Sequence, residues 1–147
     1  MCLLALPLLL IHTKVQAEKM VCIVPEYQYV RIRNGAGRNA AKMGRMHTGD
    51  KIDAECFEDG FVRFRYEGRT AFADAAFFET PEDRMYRVIA NGRVTKRDKP
   101  GGRRTGWLNP EIQIQVLGWR YDRDGIRWAR VYGGCFVKAE FLSLESK

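Results

Sequence analysis

A chain of 147 residues is long enough for one domain of ordinary size or two very small ones, and 46% hydrophobic residues with 12% aromatic exclude a disordered chain. Its formal net charge of +7 is unevenly spread. Residues 18–83 hold 10 Lys and Arg against 12 Asp and Glu, whereas residues 84–147 hold 14 against 6, which makes the second half the basic one.

The apolar run 3–11 is too short to cross a bilayer but has the length of a signal-peptide core. Val15, Gln16 and Ala17 place small side chains where a signal peptidase reads, so 1–17 are expected to be removed before Glu18. No Lys or Arg precedes the run, which makes the signal atypical or the start site misplaced. A buried amino-terminal strand is the competing reading, and Pro7 in an unbroken leucine run suits it poorly. Export then implies a periplasmic, cell-wall or extracellular location, with no membrane span left after cleavage.

In the mature chain 21–24 and 27–33 read as strands, the second in strict apolar-polar alternation. Residues 34–39 form a glycine-bearing loop, 40–46 lead to a turn at 47–50, and 51–57 is a strand. Two further strands, 61–66 and 69–73, are joined through Glu67 and Gly68. A single 3₁₀ turn with a closing strand is expected over 74–78. Residues 79–83 are polar and carry Pro81, the composition of a linker. The plan then repeats, with strands at 85–89, 93–97 and 112–117 and a hairpin around Gly133-Gly134. Gly101 aligns with Gly37 and Phe136 with Phe72 at an offset of 64, Gly106 with Gly44 at 62, and Trp128 with Phe61 at 67, so the loops absorb the length changes. The expected organisation is 1–17 signal peptide, 18–79 first unit, 80–84 linker and 85–147 second unit.

Little here supports catalysis or metal binding. Signal cleavage leaves Cys22, Cys56 and Cys135, an odd number, and His47 as the one histidine. One disulfide, Cys22 with Cys56 for instance, is compatible with that count without being required by it. Cys56 otherwise reads as a buried thiol on the apolar phase of its strand. The spacings match no zinc site, so neither metal nor cofactor is expected. His47 lies in a turn, Asp122-Arg123-Asp124-Gly125 reads as a hairpin turn rather than a calcium loop, and no catalytic residue is assigned.

The informative side chains are aromatic and basic. Trp128 and Trp107 alternate with Ala129 and Leu108 and are expected on the outer face, with Trp119 and Tyr121 on the neighbouring hairpin, as the wall of a binding groove. Each tryptophan taken singly reads equally well as core. Arg93, Lys96, Arg97, Lys99, Arg103 and Arg104 lie within twelve residues of a glycine-rich segment and form an expected contact surface for an anionic partner. A solvated loop is the simpler alternative.

The segments Val30-Arg31-Ile32-Arg33-Asn34-Gly35-Ala36-Gly37, Gly49-Asp50-Lys51-Ile52 and Gly60-Phe61-Val62-Arg63-Phe64 resemble the bacterial Src-homology-3-like (SH3b) pattern. So do Gly106-Trp107-Leu108, Trp128-Ala129-Arg130-Val131 and Phe136-Val137 of the second unit. The resemblance implies an all-β protein of two small, strongly bent five-stranded barrels in tandem. It also places groove aromatics by position at Phe61 and Phe77 in the first copy and at Trp128 and Phe141 in the second. Phenylalanine stands where relatives that bind proline-rich helices carry a tyrosine, and the acidic first loop is missing, so that ligand is not expected. Exported members resemble accessory modules of cell-wall enzymes. The implied role is non-catalytic binding of a cell-wall peptide or glycan; the alternative is an interaction or inhibitory module acting on another envelope or phage-related protein. Nucleic acid is not expected as a partner.

Overall fold

The computed structural model describes residues 18–145, so the expected signal peptide at 1–17 lies outside the described residues. The protein is all-β and divides into two compact units, the first ending at Thr80 and the second beginning at Pro81.

The first unit contains strands β1 (Glu18–Cys22), β2 (Val30–Arg33), β3 (Lys42–Met46), β4 (Lys51–Ala54), β5 (Cys56–Glu58), β6 (Phe61–Tyr66) and β7 (Arg69–Asp74), then a 3₁₀ turn at Ala75–Phe77 and the start of β8 (Phe78–Val88). An antiparallel ladder runs β3-β2-β7-β6-β5, and β1 pairs with β4 and with the start of β8. Alternation sets the inner face: Val62 and Phe64 of β6 and Ile52 and Ala54 of β4 are buried, while Lys51, Asp53 and Arg65 face water. The two-residue connections Asp59-Gly60 and Glu67-Gly68 have positive φ at both positions, the geometry whose twist matches the strands it joins. Asp74 accepts a hydrogen bond from the Ala76 N–H at 3.0 Å and caps the 3₁₀ turn.

The second unit repeats this order with the end of β8, then β9 (Val94–Arg97), β10 (Arg104–Leu108), β11 (Gln113–Tyr121), β12 (Arg127–Val131), β13 (Cys135–Lys138), a 3₁₀ turn at Ala139–Phe141 and β14 (Leu142–Leu144). Its ladder runs β10-β9-β13-β12-β11, and β14 pairs with β8. Tyr86, Val88, Val116, Trp119, Val131 and Val137 belong to its core. The duplication extends to single bonds. Arg33 donates to the Ala40 carbonyl at 3.0 Å and Arg97, 64 residues later, donates to the Gly102 carbonyl at 2.8 Å, each tying down the loop after its own strand.

Four expectations change. Neither ladder closes on itself, the second continuing from β11 to β8, so the sheets are open rather than closed barrels. The expected linker 80–84 is part of the continuous strand β8, whose β1 pairing ends at Glu79 and whose β14 pairing begins at Tyr86. Residues 42–46 form edge strand β3 although their pattern is weak, and a side chain at Gly44 would begin 2.7 Å from the Tyr66 hydroxyl. Cys22 is a free thiol whereas Cys56 is disulfide-bonded, so the Cys22 to Cys56 disulfide is not made and Cys56 is not the buried thiol its strand phase suggests.

Candidate binding groove

The connection 90–92 and the 3₁₀ turn Ala139–Phe141 border a cavity of about 370 Å³ in the second unit, lined among others by Arg93, Arg97, Trp128, Lys138 and Phe141. A more open depression of about 660 Å³ shares Ala90, Asn91 and Phe141 with it and adds Ile89, Glu111 and Glu140. Phe141, with Ala90 and Asn91, is thus common to a cavity that has three cations in its lining and a depression that has two carboxylates, of which Glu111 lies 3.9 Å from Arg87.

The side chains placed there differ from the sequence expectation in depth rather than in phase. Trp128 is 2% exposed and Ala129 0%, so two successive residues of β12 are buried and the tryptophan is not on an outer face. Its indole N–H donates to the Asp122 carboxylate at 2.9 Å, and the other oxygen of Asp122 accepts from the Ile126 N–H at 3.0 Å, which closes the hairpin turn. Trp128 therefore offers the cavity apolar surface with its donor already used, and Lys138 Nζ lies 5.8 Å from its ring centroid. Trp119 is core rather than groove: it is 5% exposed, edge-on to Tyr86 with ring centroids 5.3 Å apart, and overlaid by Arg127 at 4.3 Å. Tyr121 is half-buried opposite Arg127 at the end of β11, outside the groove lining.

Trp107 is 45% exposed on β10, with the Arg93 and Arg104 guanidinium carbons 4.4 and 4.8 Å from its ring centroid. Arg93 also lines the cavity, so this aromatic-basic surface adjoins the groove. Lys96 is half-buried while Lys99 and Arg103 are exposed around the 98–103 turn, where Asp98 accepts from the Arg103 N–H at 2.9 Å. In the first unit Phe61 is half-buried and Phe77 is 36% exposed.

Lys138 escaped the sequence reading, although the repeat marks it. It aligns with Asp74 at an offset of 64, has the same extended backbone, and makes no side-chain cap to its 3₁₀ turn. A cation has replaced a cap where the groove runs. Lys138→Asp is therefore expected to raise the denaturant midpoint of the second unit, by about 1 kcal/mol in stability, by restoring the cap while reversing the charge at the cavity. A urea titration checks the first effect.

Burial pushes the Cys22 thiol above its ordinary pKa, and the Asp50 carboxylate adds to the effect. Burial also raises Cys135, against the opposing pull of Lys96. Cys135 aligns with Ala71 at an offset of 64, and the partner position of Cys22 across β8 corresponds to that of Val88 across β14, so both fill places taken by apolar side chains in the other unit. His47 sits in its turn, its N–H donating to Asp50 at 2.8 Å. Among the described residues no group of three or more His, Cys, Asp and Glu side chains is gathered as a metal site, and no helix is long and apolar enough to cross a membrane.

No protein-family model matches the chain, and no curated protein does. Among solved structures it is similar to NlpC1 from Trichomonas vaginalis (TM-score 0.40, 12% identity, covering 97% of this chain and 52% of that one). It is also similar to NlpC2 from Trichomonas vaginalis (TM-score 0.39, 10% identity, 90% of this chain and 50% of that one). A third is the endolysin LysPBC5 CBD (TM-score 0.34, 13% identity, 90% of this chain and 96% of that one). The chain spans about half the length of the two Trichomonas proteins.

Proposed function

We propose that this protein is an exported, non-catalytic binding module that takes up a short cell-wall peptide, or its glycan carrier, in the groove of the second unit. The observation that carries the reading is the groove itself. Phe141 is common to the cavity lined by Trp128, Arg93, Arg97 and Lys138 and to the depression lined by Glu111 and Glu140. A short peptide bearing a carboxylate near one end and an amine near the other matches that polarity, its apolar part resting on Phe141. Bacterial cell-wall stem peptides have this character.

Purified full-length protein is expected to sediment with peptidoglycan sacculi at low and at physiological salt. Phe141→Ala combined with Lys138→Ala should weaken that binding at least tenfold, because it removes both the stacking wall and a cation. Protein that stays in the supernatant at both salt concentrations overturns the reading, as does a double variant that binds like the parent.

A further inference from the structure

Each unit carries a basic hairpin, and the one in the second unit meets the groove at Arg93 and Arg97. Residues 27–47 of the first unit carry five Lys and Arg and no Asp or Glu, and residues 92–110 of the second carry six against the single Asp98. These are the β2–β3 and β9–β10 hairpins, equivalent by position. The first unit is acidic as a whole, so its basic hairpin is hidden by any count over the whole unit.

Each hairpin gathers two arginines at one aromatic ring. Arg31 and Arg45 lie 5.0 and 4.3 Å from the Tyr29 ring centroid; Arg93 and Arg104 lie 4.4 and 4.8 Å from that of Trp107. Tyr29 aligns with Arg93 and Arg45 with Trp107, so ring and guanidinium have exchanged places between the copies while the stacked pair is kept. Both rings remain exposed, Tyr29 by 40% and Trp107 by 45%.

Each hairpin also sets like charges directly across the ladder. Arg31 faces Arg45 and Arg33 faces Lys42 in the first unit, and Arg97 faces Arg104 in the second. Such pairs work against the folded sheet. Among the described residues Arg31, Arg45, Arg93 and Arg104 make no ion pair with a carboxylate, and of the four only Arg31 hydrogen-bonds a side chain, the Tyr29 hydroxyl at 3.0 Å. Forked guanidiniums fixed by a ring and unneutralised by the protein are suited to tetrahedral oxyanions, which accept two parallel N–H bonds. Because the rings already have guanidinium partners, they are poorly placed to stack on free bases, which favours a backbone anion over a nucleobase.

We propose that the β2–β3 and β9–β10 hairpins are a duplicated recognition element for a phosphodiester-linked polymer without bases, a chain of polyol or sugar phosphates. It overlaps the groove at Arg93 and Arg97 but rests on Tyr29, Arg31, Arg45, Arg104 and Trp107, which lie outside the groove lining, and stands whether or not the groove takes a peptide.

The test titrates full-length protein with a synthetic glycerol-phosphate oligomer, with poly-glutamate and a single-stranded oligonucleotide of equal charge alongside. The oligomer is expected to bind saturably, more weakly as salt rises, and at least tenfold more tightly than either control. Arg45→Gln with Arg104→Gln, neither of which lines the groove, should lower the affinity at least tenfold while the denaturant midpoint stays level or rises, since like-charge pairs are relieved. Arg45→Lys with Arg104→Lys keeps the charge but loses the fork and should fall between. Absent saturable binding, controls binding as tightly as the oligomer, or Gln or Lys variants binding like the parent would each overturn the proposal.

Discussion

Truncating Trp128 to alanine is expected to destabilise the second unit by about 3–5 kcal/mol, measured by urea unfolding of the full-length chain. The side chain is 2% exposed, its removal empties the part of the groove lining it shares with Lys138 and Phe141, and the Asp122 carboxylate loses the indole N–H that it accepts at 2.9 Å. A unit of this size has a small core and a stability of only several kcal/mol, so most of it is at stake. Trp128→Phe separates the two contributions: it keeps an aromatic ring in place, removes the bond to Asp122, and should cost about 1–2 kcal/mol. The outward phase expected from the β12 alternation forecasts the opposite, a surface truncation worth less than about 0.5 kcal/mol. A cost that small would return Trp128 to the outer face, and the groove would lose its floor.

That disagreement shows where the sequence was legible. The duplication, the strands and the turns at Asp59-Gly60, Glu67-Gly68 and Gly133-Gly134 could be read directly, because side-chain period and positive φ are local properties. Phe141 and Trp128 could be placed at one site from the resemblance, and both line the cavity. What could not be read was depth. Trp128 and Ala129 are both buried because residues packed over β12 cover a face that alternation assigns to water. Trp119 met the same fate through Tyr86, which comes from another strand. The linker was misjudged for a related reason: Glu79, Thr80, Pro81, Glu82 and Asp83 have loop composition, yet the strands that extend β8 at its two ends are supplied by distant residues. Lys138 and the Tyr29 cluster were legible in principle, the first by aligning it with Asp74 and the second by counting charge per hairpin.

The same stretch of β8 supports a test of a different kind, through pH. Glu82 is the acceptor in a compact network: Arg84 donates to it through Nε and Nη2 at 3.0 and 3.2 Å, the Tyr86 hydroxyl at 2.7 Å and the Asp83 N–H at 3.1 Å. Burial by itself would raise the pKa of this carboxyl, whose side chain is 11% exposed. The hydrogen bonds from Arg84, Tyr86 and Asp83, with the charge of Arg84, outweigh burial and hold it at about 2 against an ordinary 4.5. A depressed carboxylate contributes stability that is complete above about pH 4.5 and disappears as pH falls through about 2. The full shift would correspond to about 3 kcal/mol, but Arg84 is 59% exposed and water screens its share, so about 1–2 kcal/mol is the expected loss. Other carboxylates titrate in the same range, so the measurement is a difference. The stability of the parent minus that of Glu82→Gln should be constant above pH 5 and shrink toward zero between pH 4.5 and 2. Tyr86 ties the effect to the core, because the hydroxyl that donates to Glu82 belongs to the ring packed edge-on against Trp119. If the difference does not change with pH, the network contributes nothing through its charge, and β8 is held by Tyr86 packing and its strand pairing.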